Sequence, residues 1–173
     1  MPITDTEPLR EVQAPLKERY RRDPDAALVR LAASGDLDPS GVVCRVATGR
    51  ALVAAGLHPA TGGDGTLACS GDMLLEALVA CAGVTLRAVA ESIGVDLRGG
   101  TVLAEGDLDV RGTLGVAKDA RVGFRTISVR FELDTDADDD LLATLLRLTE
   151  RYCVVLQTLR GGVPVTAEAI ARR

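Results

Sequence analysis

Between Met73 and Ile93 a helix would have almost no face to turn toward water. Leu74, Leu78, Cys81 and Thr85 follow the three–four spacing that stacks side chains on one helical face. Leu75, Val79, Ala82, Leu86 and Val89 fill the neighbouring face. A helix apolar around most of its circumference belongs in a core, so the rest of the chain must supply layers to cover it. Ser70 stands where an N-cap would, Asp72 adds negative charge at the end that favours it, and Gly94 closes the helix. At the centre of this helix is a thiol, Cys81.

A second apolar helix is predicted from Leu141 through Leu159, ended by Gly161-Gly162. Leu142, Leu146, Thr149, Cys153 and Leu156 share one of its faces. The acidic run before it, from Asp134 to Asp140, places negative charge at its N-terminus. Two thiols far apart in sequence therefore sit on apolar faces of two helices.

The layers around these helices must be aliphatic. Hydrophobic residues are 47% of the 173, but aromatics only 2%, with no Trp. The length suits one domain with a real core. A net charge of −5 argues against nucleic acid or an anionic membrane as partner. No run of about eighteen uncharged apolar residues is present, so no transmembrane helix is expected. The first ten residues show no apolar signal region, and a cytoplasmic location is expected. The four cysteines, Cys44, Cys69, Cys81 and Cys153, contain no C-x-x-C pair, and His58 is the sole histidine. Neither a metal site nor a cofactor is expected from that set, nor a disulfide framework in a reducing compartment. Cys44 lies in a strand-like run and reads as a small buried hydrophobe.

In order along the chain, residues 9–33 read as a helical arm broken near Asp23-Pro24 and ended by Ser34-Gly35, with a turn at residues 38–41. The predicted boundaries are an N-terminal helical arm at 1–40 and an α+β domain at 41–173. Residues 42–53 read as a β-hairpin turning at Thr48-Gly49. The glycine-rich loop at residues 56–65 lacks both the P-loop and the dinucleotide patterns, and His58 within it reads as a hydrogen-bonding surface residue. Residues 101–110 and 122–133 alternate as two half-solvated strands, and residues 163–170 as a last strand near an edge. Grouped strands between helices argue an α+β fold with mostly antiparallel pairing.

A thiol is a nucleophile only as thiolate. Cys81 lies about three turns into its helix, out of reach of the N-terminal dipole, and burial raises its pKa. A cation is therefore expected beside it, and Arg45 and Arg50 of the hairpin are candidates, with Arg111 as a competitor. Peroxide attack at Cys81 would give a sulfenic acid, which Cys153 could condense with to form a disulfide.

Two of these stretches carry a family resemblance. The run Leu74-Leu75-Glu76-Ala77-Leu78-Val79-Ala80-Cys81, with Thr85 following, resembles the first-cysteine helix of the OsmC/Ohr family, and Leu148-Thr149-Glu150-Arg151-Tyr152-Cys153-Val154-Val155 resembles its second. The likeness covers residues 42–170 and leaves the arm outside. It implies a fold of antiparallel sheets wrapped around two buried cysteine helices in an intertwined homodimer. It also implies a thiol peroxidase that reduces organic hydroperoxides without metal or cofactor, Cys81 being peroxidatic and Cys153 resolving. Lipoyl-type dithiols or small thiols are the implied reductants. Thr48-Gly49-Arg50 best matches the family's activating arginine. Two departures stand out. The glutamate that holds this arginine in the family falls at Gly71, with Asp72 beside it as the candidate substitute, and the frequent Cys-Pro-Val is here Cys153-Val154-Val155. Cys69 near Gly71 is an extra thiol and an alternative resolving partner. The competing readings are a dimer that binds a small apolar ligand, its cysteines merely lining the pocket, and a redox sensor acting through a partner.

Overall fold

The computed structural model describes residues 9–28, 34–37, 44–47 and 52–171. Helix α1 (Leu9–Arg22) ends at Asp23, whose carboxylate accepts the Ala26 N–H as a 3-10 turn starts at Pro24. Strands β1 (Ser34–Leu37), β2 (Cys44–Ala47), β3 (Leu52–Gly56) and β4 (Ala68–Cys69) follow, then α2 (Ser70–Ile93), β5 (Gly99–Leu108) and the short α3 (Val110–Thr113). Strand β6 (Phe124–Asp134) leads into α4 (Asp139–Tyr152) and α5 (Val154–Gly161). The fold is a mixed α+β one.

The chain forms two compact units. One comprises Met1–Glu76 and Leu103–Phe131, the other Ala77–Val102 and Glu132–Arg173. The first holds a four-stranded sheet in the order β1-β2-β3-β4. β2 and β3 form the expected antiparallel hairpin, with Arg45 opposite Ala54 and Val46 opposite Val53. Ser34 and Gly35, expected to end the helical arm, instead begin β1, which pairs antiparallel with β2. A long-range partner supplies the ladder that this glycine-containing segment does not signal by itself. The last pair departs from the antiparallel pattern: β4 runs parallel to β3, Gly56 opposite Cys69.

β5 and β6 form a second, two-stranded sheet. In the first unit the Thr126 hydroxyl donates to Asp107 at 2.7 Å. In the second the Arg98 N–H donates to the Asp134 carbonyl at 2.9 Å, so the strands run antiparallel. The predicted alternation is present on β6, where Ile127, Val129, Phe131 and Leu133 are half-buried between exposed neighbours. Gly106 lies under the Phe124 ring, where a Cβ would come within 2.6 Å.

In the second unit α2 closes as its sequence implies. Gly94 takes φ +76°, and the Val95 N–H reaches back to the Ala90 carbonyl at 2.9 Å, with both residues buried. Among the described residues all the fully buried side chains belong to this unit: Leu78, Ala82, Leu86, Val89 and Ala90 from α2, Val95, and Leu145, Thr149, Cys153 and Leu156 from the C-terminal helices. α2 is nevertheless not covered all round. Its sequence is apolar on most sides, yet Val84 is 73% exposed and Leu74 is also accessible. Of the described residues only α2 is long and apolar enough to cross a membrane by length and composition; it carries Glu76 and Arg87 and buries one face on its own chain.

Two C-terminal expectations are corrected. The second cysteine helix is not continuous: it stops at Tyr152 and restarts at Val154. Residues 163–170 form no strand and are exposed.

Candidate active site

Cys81 lies in mid-α2, half-buried, on the face that also carries Thr85. Leu78 and Ala82 beside it are fully buried, which fixes the rotation of the helix about its axis. Mid-helix, every nearby backbone N–H is taken by the helical ladder, so donors for this sulfur must come from elsewhere.

They come from the break at Cys153. α4 is held at its start by Asp138, whose carboxylate accepts the Leu141 N–H at 2.9 Å. Further along, Thr149 is buried and its hydroxyl bonds back to the Leu145 carbonyl at 2.8 Å, a contact that tends to bend helices. The Cys153 N–H makes the last bond, to the Thr149 carbonyl, and Cys153 then turns to extended geometry, φ −72° and ψ 108°. In an unbroken helix the Val154 N–H would bond the Glu150 carbonyl. Here the Gln157 side-chain amide takes that carbonyl at 2.7 Å, and Arg160 grips the Glu150 carboxylate at 3.0 and 3.1 Å. α5 is thus clamped to α4 with its leading N–H groups, Val154, Val155 and Leu156, released from the ladder.

Those groups act on the thiol pair. Burial pushes the Cys81 thiol up, but the Val155 N–H, the Cys153 thiol, the Val154 N–H and the Thr85 hydroxyl outweigh it, and the pKa lies below the ordinary thiol value. Cys153 moves the opposite way. It is 0% exposed, and its burial and the neighbouring Cys81 sulfur push its pKa up, against weaker lowering by the Leu156 and Val155 N–H groups. The two thiol pKa values are thus displaced in opposite directions.

Among the described residues, the groups that lower the Cys81 pKa are neutral donors. Arg50 lies outside the described residues, as does the side chain of Arg45, which stands in β2. Arg111 is engaged by Asp109, at 2.9 Å from Nε and 2.5 Å from Nη2, and holds that carboxyl down to about 2. Asp72 is exposed in the first turn of α2. Cys69 is half-buried in β4; a Cβ on Gly71 would lie 3.6 Å from its sulfur. The side chain of Cys44 lies outside the described residues. His58 accepts the Ala60 N–H on Nδ1 at 3.0 Å and caps a 3-10 turn. In the glycine-rich loop a cavity of about 250 Å³ is lined by Leu57, Gly62, Gly63, Asp64 and Leu67, none of them nucleophilic. No group of three or more His, Cys, Asp or Glu placed to hold a metal occurs among the described residues.

The family described as OsmC-like protein matches residues 63–168, more than half the chain, and the chain belongs to that family. No curated protein sequence matches it. Among solved structures it is similar to an OsmC-like protein from Mycoplasma pneumoniae, at 14% identity and TM-score 0.65, over 78% of this chain and 89% of that one. An organic hydroperoxide resistance protein OsmC from Legionella pneumophila matches at 16% identity and TM-score 0.61, over 78% and 91%. A putative organic hydroperoxide resistance protein from Vibrio cholerae, with captopril bound in one of its active sites, matches at 19% identity and TM-score 0.56, over 78% and 88%. At such identities the likeness carries the fold.

Proposed function

We propose that the protein is a two-cysteine, thiol-dependent peroxidase that reduces organic hydroperoxides. The observation that supports this most is the pairing of a half-buried thiol of lowered pKa, Cys81, with a fully buried thiol of raised pKa, Cys153. The Cys81 thiolate attacks the terminal peroxide oxygen and the O–O bond breaks. The alcohol leaves with a proton from solvent, and the sulfur becomes a sulfenic acid. The Cys153 sulfur then attacks the sulfenic sulfur, the S–S bond forms and water departs. A lipoyl-type dithiol or other small thiol restores both cysteines by exchange and is itself oxidised to a disulfide.

Arg50 is assigned the guanidinium that assists the thiolate and Asp72 the carboxylate that orients it. Aliphatic surroundings favour apolar hydroperoxides over hydrogen peroxide. A homodimer is part of the reading. It is supported by the accessible apolar side chains Val84, Leu146 and Val154 around the cysteine helices, and by the first unit, which buries no side chain fully among the described residues. A cytoplasmic setting belongs to the same reading, since a reducing compartment returns such thiols to the reduced form.

The test is steady-state consumption of cumene hydroperoxide with dihydrolipoamide as reductant. Turnover faster than with hydrogen peroxide, and lost in Cys81→Ser, is expected. No turnover with any dithiol, Cys81 staying reduced throughout, contradicts the proposal.

A further inference from the structure

The break at Cys153 falls inside a stretch whose apolar period, from residue 141 to 159, runs on without interruption. It carries neither glycine nor proline. Three side chains meet across it. The Gln157 amide donates to the Glu150 carbonyl at 2.7 Å, and the Arg160 guanidinium donates to both Glu150 carboxylate oxygens, at 3.0 and 3.1 Å. Arg160 also holds that carboxyl below its ordinary range, so the pair stays charged.

Neither contact is open to an unbroken helix. There residues 150 and 157 would stand about 10 Å apart along the axis, and residues 150 and 160 about 15 Å. Helical side chains lean toward the N-terminus, so Arg160 would reach toward Glu150 while Glu150 leaned away from it. The contacts therefore belong to the broken form alone, and only an interaction that differs between two forms can shift the balance between them. The competing form is close at hand: the Val154 N–H would bond the carbonyl that Gln157 takes. A backbone bond and a side-chain bond are of similar strength, so three side chains are enough to decide between the forms.

We infer that Glu150, Gln157 and Arg160 form a clamp that keeps the second cysteine stretch broken and so sets the position of the Cys153 thiol. Cys153 is the residue at the break, extended and 0% exposed, and an unbroken helix would carry its sulfur in another direction. The three are positioning residues and act through Cys153. This deepens the peroxidase reading, on which the use of Cys153 as resolving thiol rests; the clamp's geometry does not depend on it. Glu150 is half-buried, and Gln157 and Arg160 are exposed, so the clamp can be removed without emptying the core.

The test removes the clamp, with Gln157→Ala and Arg160→Met together, in two backgrounds: the parent chain and Val154→Pro. Proline suits the first position of α5 and lacks the N–H that an unbroken helix would use. The residue before it must be extended, and Cys153 already is, at ψ 108°. The readout is the rate at which diamide closes a Cys81–Cys153 disulfide in the full-length protein, followed by peptide mass spectrometry. It uses no hydroperoxide. In the parent background, loss of the clamp should slow closure roughly tenfold. In Val154→Pro, where the ring holds the break, the same loss should change nothing, whatever the proline itself does to Cys81. No slowing in the parent background overturns the inference. Equal slowing in both backgrounds overturns it too, because the side chains would then serve general stability. Should a variant lose its helical circular dichroism, or the parent form no such disulfide (a failure of the peroxidase reading alone), amide hydrogen exchange in Gln157→Ala decides. The Val154 N–H should exchange several-fold more slowly than in the parent as it joins the ladder, and unchanged exchange overturns the inference.

Discussion

The two cysteine-bearing helical stretches handle the same residue in opposite ways. α2 runs unbroken from Ser70 to Ile93 and carries Cys81 where no backbone donor is free. The second stretch is interrupted at Cys153, and the first N–H groups of α5 leave the helical ladder there. The half-buried thiol thus has its pKa lowered by the other helix, while the fully buried thiol has its own raised. The contrast is between an unbroken helix and an interrupted one.

Removing packing from the broken helix should have the largest effect. Leu145 is 1% exposed, and Leu145→Ala should destabilise the protein by about 2–5 kcal/mol. Leu146→Ala, at an exposed neighbouring position, should cost far less in the isolated chain. Denaturant melts of the two variants measure this, and equal losses would show that Leu146 is buried in an assembly.

The pH dependence sharpens the contrast between the thiols. The thiolate is the charged form of Cys81 and its pKa is lowered, so the rate with hydroperoxide should rise tenfold per pH unit and level off below 9.0, the ordinary thiol value. Cys153, shifted upward, keeps its proton across that range. Stopped-flow rates across pH check the sign, and a plateau reached only above 9.0 would contradict it. In Cys153→Ser the first oxidation should persist, with the product trapped by dimedone as a sulfenic acid.

The smallest effect compares the two helix starts. α4 is capped by the Asp138 carboxylate, whereas α5 starts at a thiol, Cys153. Asp138→Ala should cost about 1 kcal/mol and Asp138→Asn almost nothing. Neither should move the Cys81 pKa, since the α4 cap serves only the helix.

Much of this was legible in the sequence because local signals and tertiary demands agree. The apolar period of α2, its Gly94 terminus and the alternation on β6 place these elements within a residue or two. The break at Cys153 was not legible. No glycine or proline marks it, and the contacts that accompany it are made by Gln157 and Arg160 of the following helix. Nothing in the sequence signals backbone N–H groups near Cys81, and the arginine expected there, Arg50, lies outside the described residues. Val154 could be read as a departure from the family's Cys-Pro-Val, but the sequence does not show that the break persists without that proline. The strand expected at residues 163–170 is absent, since alternation alone does not supply the partner that a strand needs.

The most direct test of the account is peptide mass spectrometry after one equivalent of an organic hydroperoxide is added to the reduced protein. The account predicts rapid loss of two hydrogens, mapped to a Cys81–Cys153 disulfide and absent in Cys81→Ser. Oxidation of Cys81 no faster than that of a free thiol, or a linkage from Cys81 to Cys69 in place of Cys153, would contradict it.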